Sequence, residues 1–286
     1  MSYFGKTLCS LPTDAGRSAS AEVRRVRGFL FHEQQTGEPA PSRSFYTLMK
    51  ILVICQFYYP EPFRITDICE ELAARGHEVH VVAGTPNYPE GKNYPEYSRG
   101  RRCDETVNGV SVHRCRTVGR HHDAFMRVVN YYSYVMASKR YVSRLRDDFD
   151  VVFANQLSPV MMAEAGVRYA KKHGKRFVLY CLDLWPESLT AGGIKRGTPL
   201  FALYRRVSER IYRSADRILA TSKAFPGYFA DEFGINDAEY LPQYAEALFD
   251  PEVCRKKPDG NLDLMFAGNL GSVQGLDTVI RAAAET

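Results

Sequence analysis

The sequence predicts an α/β fold, a parallel sheet with helices on both faces, and three observations carry that prediction. Ile51 to Cys55 is an unbroken apolar, β-branched run, the composition of a strand covered on both sides. Ile65, Ile68, Cys69, Leu72 and Ala73 then recur at helical spacing until Gly76, and Glu78 to Ala83 forms a second apolar run. Short connections on both sides of one helix demand a right-handed βαβ crossover, a Rossmann-like unit, and the alternation returns further along the chain.

Taken in order, residues 1–48 mix Ser, Thr, Gly, Pro and Arg without a sustained period, and are expected to form a poorly ordered extension. Met49-Lys50, directly before the first strand, resembles a natural start. The expectation is that translation begins at Met49. Pro62 is placed in the first helical turn. The loop before it contains no glycine, so it lacks the chemistry that lets a dinucleotide pyrophosphate approach the backbone. It offers Tyr58, Tyr59, Glu61 and Arg64 instead, either to another ligand or as a solvated loop with packed tyrosines. Residues 84–100 carry Pro86, Pro89 and Pro95 with Tyr88, Tyr94 and Tyr97, a length and composition that point to a functional loop. Asn108-Gly109 between β-prone residues predicts a hairpin with a type I′ turn.

Phe125 to Arg146 is a long helical stretch with five basic residues and no acidic one. It is read either as a helix packed on the sheet or as one docking on an anionic membrane surface. Asp150 to Ala154, Phe177 to Cys181 and Asp216 to Thr221 read as further strands. Ser158 to Lys172, Thr198 to Arg213 and Lys223 to Phe233 read as the helices among them. Asn155 and Gln156 follow one strand, and Asp183, Trp185, Glu187 and Ser188 follow the next. At strand carboxyl ends these groups suit binding a saccharide or orienting a hydroxyl. Helix capping by the two carboxylates, and polar capping of the core by Asn155 and Gln156, are the competing readings. Residues 245–261 read as a linker. Leu262 to Gly268 reads as a strand, followed by a glycine-containing turn and a helix over 276–284.

Composition narrows the class. With 286 residues and 45% hydrophobic content, the chain can bury one large core and part of a second. A net charge of +5 is modest for this length and does not suggest nucleic-acid binding. No apolar run approaches the roughly 20 residues that span a bilayer, and no signal peptide is read in the first thirty residues. Seven scattered cysteines without a CxxC pair suit reduced thiols in a cytosolic protein, and no metal site is expected.

The run YYPEPFRITDICEELAARGHEV, followed by PNYPEG and later by DLWPES, resembles a branch of the family 4 glycosyltransferases, similar to bacterial enzymes that build surface polysaccharides. The resemblance covers Met49 to Thr286. It implies a GT-B architecture of two Rossmann-like domains: an acceptor domain over 49–244, then the start of a nucleotide-sugar domain at 262–286. It implies retaining, metal-independent transfer to a saccharide or lipid-linked acceptor, with the nucleotide sugar as substrate and no cofactor. The enzyme would be cytoplasmic, at the inner face of the plasma membrane.

Asp183 is then the acceptor-site group, where many relatives carry histidine at or beside this position. Tyr59, Glu61, Arg64, Asn87, Tyr88, Asn155, Gln156, Trp185 and Glu187 line up as acceptor-binding candidates. Gly268, Asn269, Gly271 and Gln274 are the donor-binding ones, with Asn269 and Gln274 standing where many relatives place Arg and Lys. The pair of glutamates that the family carries in its donor domain has no counterpart here, so this chain alone is expected to be inactive. A noncatalytic saccharide- or partner-binding module is the alternative.

Overall fold

A computed structural model describes residues 47–121, 123–244, 264–268 and 274–285. Its elements are β1 (Lys50–Ile54), α1 (Ile65–Ala74), β2 (Glu78–Gly84), β3 (Asp104–Val107), β4 (Val110–Cys115), α2 (Ala124–Val142), β5 (Val151–Gln156), α3 (Glu164–His173), β6 (Arg176–Cys181), α4 (Ser188–Ala191), α5 (Pro199–Tyr212), β7 (Arg217–Ala220), α6 (Phe225–Phe233), β8 (Glu239–Tyr240) and α7 (Leu276–Ala284). The strands form one sheet in the order β3-β4-β2-β1-β5-β6-β7-β8. Every neighbouring pair is parallel except β3 with β4. Ile51 in β1 faces Val79 on one side and Val151 on the other. The chain therefore builds one flank of the sheet, returns past β1 and builds the other. Ligands in such sheets settle in the crevice at this reversal.

The apolar runs are continuous because both faces are covered. Ile51 and Val53 point into a core shared with Ile65, Ile68, Cys69 and Leu72 of α1. Leu52 and Ile54 point the other way, into a larger core with Tyr134, Tyr169, Ile211 and Phe229 from α2, α3, α5 and α6. The sheet and α3 lie so close that a Cβ on Gly166 would sit 2.9 Å from the Phe177 ring and 3.2 Å from Val152. In the predicted hairpin, Asn108 and Gly109 both take positive φ, 48° and 83°, which is the type I′ geometry.

Three expectations need correction. Helix α1 begins at Ile65, not Pro62, because the Glu61 and Phe63 N–H groups donate to Tyr58 and Glu61 carbonyls and carry the chain through tight turns first. The helix expected from Ser158 begins as a 3-10 turn, Val160–Ala163, and turns α-helical at Glu164. Residues 264–268 of the expected strand are exposed and outside any strand. Strand geometry requires a neighbour to exchange hydrogen bonds with. The helix expected after them does form as α7. Residues 1–46 of the extension and all of the 245–261 linker lie outside the described residues.

Candidate functional site

An open cleft of about 680 Å³ lies at the carboxyl ends of the strands, against the reversal between β1 and β5. Its walls come from Pro62 to Ile65 after β1, Asn155 and Leu157 after or within β5, Leu182 and Asp183 after β6, Thr221 after β7, and Pro242 and Gln243 after β8. Each strand is fixed by the core, so each loop delivers its first residues to a common mouth.

Asp183 is the best-held group in it. Its Oδ2 accepts hydrogen bonds from the Ser158 N–H at 3.1 Å and the Ser158 hydroxyl at 3.0 Å. Gln156, fully buried, donates from Nε2 to the Asp183 carbonyl at 2.9 Å and to the Leu157 carbonyl at 2.8 Å. Both bonds from Ser158 fall on Oδ2, and Asp183 lines the cleft. Trp185 completes the clamp from behind, its Nε1 donating to the Ser158 hydroxyl at 2.9 Å. Across the cleft, Arg64 stands at the start of α1 with its guanidinium over the Tyr244 ring, 5.3 Å from the centroid. Arg64 thus stands on one wall of the cleft, with Asp67 following it in the first turn of α1.

Of the residues predicted from sequence, the cleft gathers Arg64, Asn155 and Asp183. The others stand elsewhere. Trp185 is buried, with its ring edge-on to Tyr204 at 5.5 Å, so it presents no open face to a sugar. Gln156 is buried behind the cleft, bonded to the Asp183 carbonyl. Tyr88 packs against Phe57 and Phe63, one ring behind the cleft wall. Glu187 pairs with Arg196 at 2.8 Å and accepts from the Tyr228 hydroxyl at 3.0 Å. Tyr59 is exposed, and its carbonyl accepts from Arg114.

Glu61 and Asn87 form a buried joint between the loops after β1 and β2. The Glu61 carboxylate accepts from the backbone N–H groups of Asn87 and Tyr88, both at 2.8 Å, and from Tyr58 at 3.4 Å. Burial pushes its carboxyl up to about 7, against the pull of these donors and of Arg114. Of the donor-site residues, Gly268 and Gln274 are exposed, and Asn269 and Gly271 lie outside the described residues.

Sequence reasoning missed Phe63, Thr221 and Gln243 as lining residues and Ser158 as the clamp on Asp183. The signal available for Thr221 and Gln243 was position alone, one to three residues beyond a strand end. Among the described residues, no group of three or more His, Cys, Asp or Glu side chains is placed to hold a metal.

Residues 63–242 match the family model described as a glycosyl transferase 4-like domain. Over 260 residues, covering 82% of this chain and 62% of the relative, the chain is 27% identical to WcaI of Escherichia coli K12, named as a glycosyl transferase of colanic acid biosynthesis. It is also 26% identical over 157 residues to WbjE of Pseudomonas aeruginosa, named as a glycosyltransferase, covering 51% of this chain and 38% of that one. The chain thus spans less than two thirds of the length of either relative. Two solved structures show looser likeness. One is Anabaena Alr3699/HepE in complex with UDP and glucose, with a TM-score of 0.39, 13% identity, and coverage of 68% of this chain and 44% of that one. The other is Arabidopsis thaliana UGT89C1, with a TM-score of 0.42, 10% identity, and coverage of 72% and 53%.

Proposed function

Because the chain belongs to the glycosyl transferase 4-like family, we propose that its strand-end cleft is the acceptor site of an enzyme that transfers sugar from a nucleotide-sugar donor. The acceptor is a saccharide or lipid-linked saccharide, and the pathway is cell-surface polysaccharide synthesis. The observation that carries this reading is the clamped Asp183 at the mouth of the cleft. A carboxylate whose Oδ2 is already bonded has Oδ1 fixed in direction, which is what orienting an incoming hydroxyl requires.

In the reaction, the acceptor oxygen forms a bond to the anomeric carbon on the same face from which the diphosphate departs, as the donor's bond to that diphosphate breaks. Oδ1 of Asp183 first accepts the hydroxyl's hydrogen bond and then its proton. Asn155, Thr221 and Gln243 supply polar contacts to neighbouring hydroxyls, and Arg64 lines the facing wall. Retention of configuration and independence of metal belong to the same reading. So does contact of the donor diphosphate with the turn at Gly268, Asn269, Gly271 and Gln274, and a peripheral position at the inner face of the plasma membrane.

The test is transfer from a panel of nucleotide sugars to saccharide and lipid-linked acceptors, using this chain joined to the second domain of a relative. Turnover lost on Asp183→Asn supports the reading. Turnover unchanged by Asp183→Asn overturns the role of Asp183. Saccharide binding with no turnover from any donor would establish a binding module instead.

A further inference from the structure

Helices α2 and α5 are far apart in sequence, yet they lie side by side, joined by a hydrogen bond between the Tyr132 and Tyr204 hydroxyls at 2.9 Å. Both carry large apolar side chains on their outer faces. On α2, Phe125, Val128, Tyr132 and Met136 follow one another at spacings of three and four, the signature of a single helix face. On α5, Leu200 and Leu203 do the same. Phe125 is 74% exposed, Met136 72% and Leu203 55%. Between the helices runs a groove of about 590 Å³, with Met161 and Val135 in its lining. An apolar surface of this extent on a folded domain marks an interaction site.

We propose that this two-helix face docks on an anionic lipid surface. The charges around it select that occupant. Arg140 is exposed beside the apolar row on α2, and Arg206 and Arg210 on α5. Lys139 and Arg210 line the groove itself, and Glu164, the one acidic group among its described lining residues, is paired with both. Apolar side chains ringed by basic ones match the acyl and headgroup layers of an anionic leaflet. A second copy of the same face would instead set like charges against each other.

Position adds a consequence. Helix α2 leaves the sheet after β4, and α5 follows β6, so Phe125, Val128, Leu200 and Leu203 belong to the carboxyl edge that also holds the cleft. A membrane against this face brings lipid-linked acceptors to the cleft mouth, a consequence that rests on the acceptor reading. The docking itself does not.

The test is flotation of the full chain with vesicles of phosphatidylcholine alone, and of phosphatidylcholine with phosphatidylglycerol at roughly three to one. The chain should float with the anionic vesicles, and less so as salt rises. Met136→Glu combined with Leu203→Glu should reduce partitioning by about tenfold or more, with an unchanged thermal melt because both side chains are exposed. In a Phe125→Trp variant, the new indole should shift to shorter emission wavelength on anionic vesicles.

Failure to float with anionic vesicles, or flotation unaffected by the double substitution, overturns the proposal. So does a dimer in solution that the double substitution dissociates, which would give the face to a second copy. Loss of transfer with vesicle binding intact would count against the acceptor reading and leave this one standing.

Discussion

Replacing Glu61 by glutamine tests whether a buried carboxylate joins the two loops that flank the cleft. Its ordinary value near 4.5 rises to about 7 because burial penalises the charged form. In that interval the folded chain holds a proton that the unfolded chain has released, so stability is full below the unfolded value and falls as pH rises towards 7. The difference between 7 and 4.5 corresponds to about 3 kcal/mol in all, and about 2 to 3 kcal/mol of it falls between about pH 5 and about pH 8. Glutamine keeps a carbonyl oxygen for the Asn87 and Tyr88 N–H groups, and gives up only the 3.4 Å contact from Tyr58. It should cost about 1 kcal/mol at the acidic end. Near pH 8 it should exceed the wild type by about 2 kcal/mol, the charge being gone. Urea unfolding followed by circular dichroism across this range gives both curves. If the difference between variant and wild type does not change with pH, Glu61 is not the buried, proton-holding group described here.

Four further outcomes are expected. Asp183→Asn in this chain joined to the second domain of a relative should lower kcat for transfer on the order of a hundredfold, with little change in KM, in steady-state assays across acceptor concentrations. Trp185→Phe should cost about 1 to 2 kcal/mol by denaturant titration through the lost bond to Ser158; saccharide affinity by calorimetry should stay unchanged, since the indole is buried. Gly166→Ala should destabilise by about 1 to 3 kcal/mol, because its methyl meets the Phe177 ring at 2.9 Å. Gly109→Ala should lower the melting temperature by the equivalent of about 1 kcal/mol, since φ of 83° strains a side chain in the hairpin turn.

The strands were legible because their information is local. Ile51 to Ile54 announces a doubly buried strand by composition, and Asn108-Gly109 announces its turn by the two positive φ angles it tolerates. The carboxyl-end rule then brought Asn155 and Asp183 into the site from strand position alone. What the sequence hid was direction. Trp185 follows a strand just as Asp183 does, but the loop turns its ring inward onto Tyr204. Glu61 looked like a ligand group, and nothing local reveals that the backbone of Asn87 and Tyr88 folds over it. The outward face of α5 was likewise invisible. Leu200 and Leu203 read as ordinary helix residues until Tyr204 is seen beside Tyr132.

The position of β1 also bears on how the chain is made. It gains β2 as a neighbour after 28 residues, but its other partner starts 100 residues on, where the Lys50 N–H meets Asp150. At a synthesis rate of about 5–20 residues per second, that second neighbour emerges roughly 5–20 s later. Throughout that interval one whole edge of β1 lies unpaired beside the ribosome, open to chaperones and to other nascent chains. Among the described strands, β1 is thus the one that waits longest for its second neighbour.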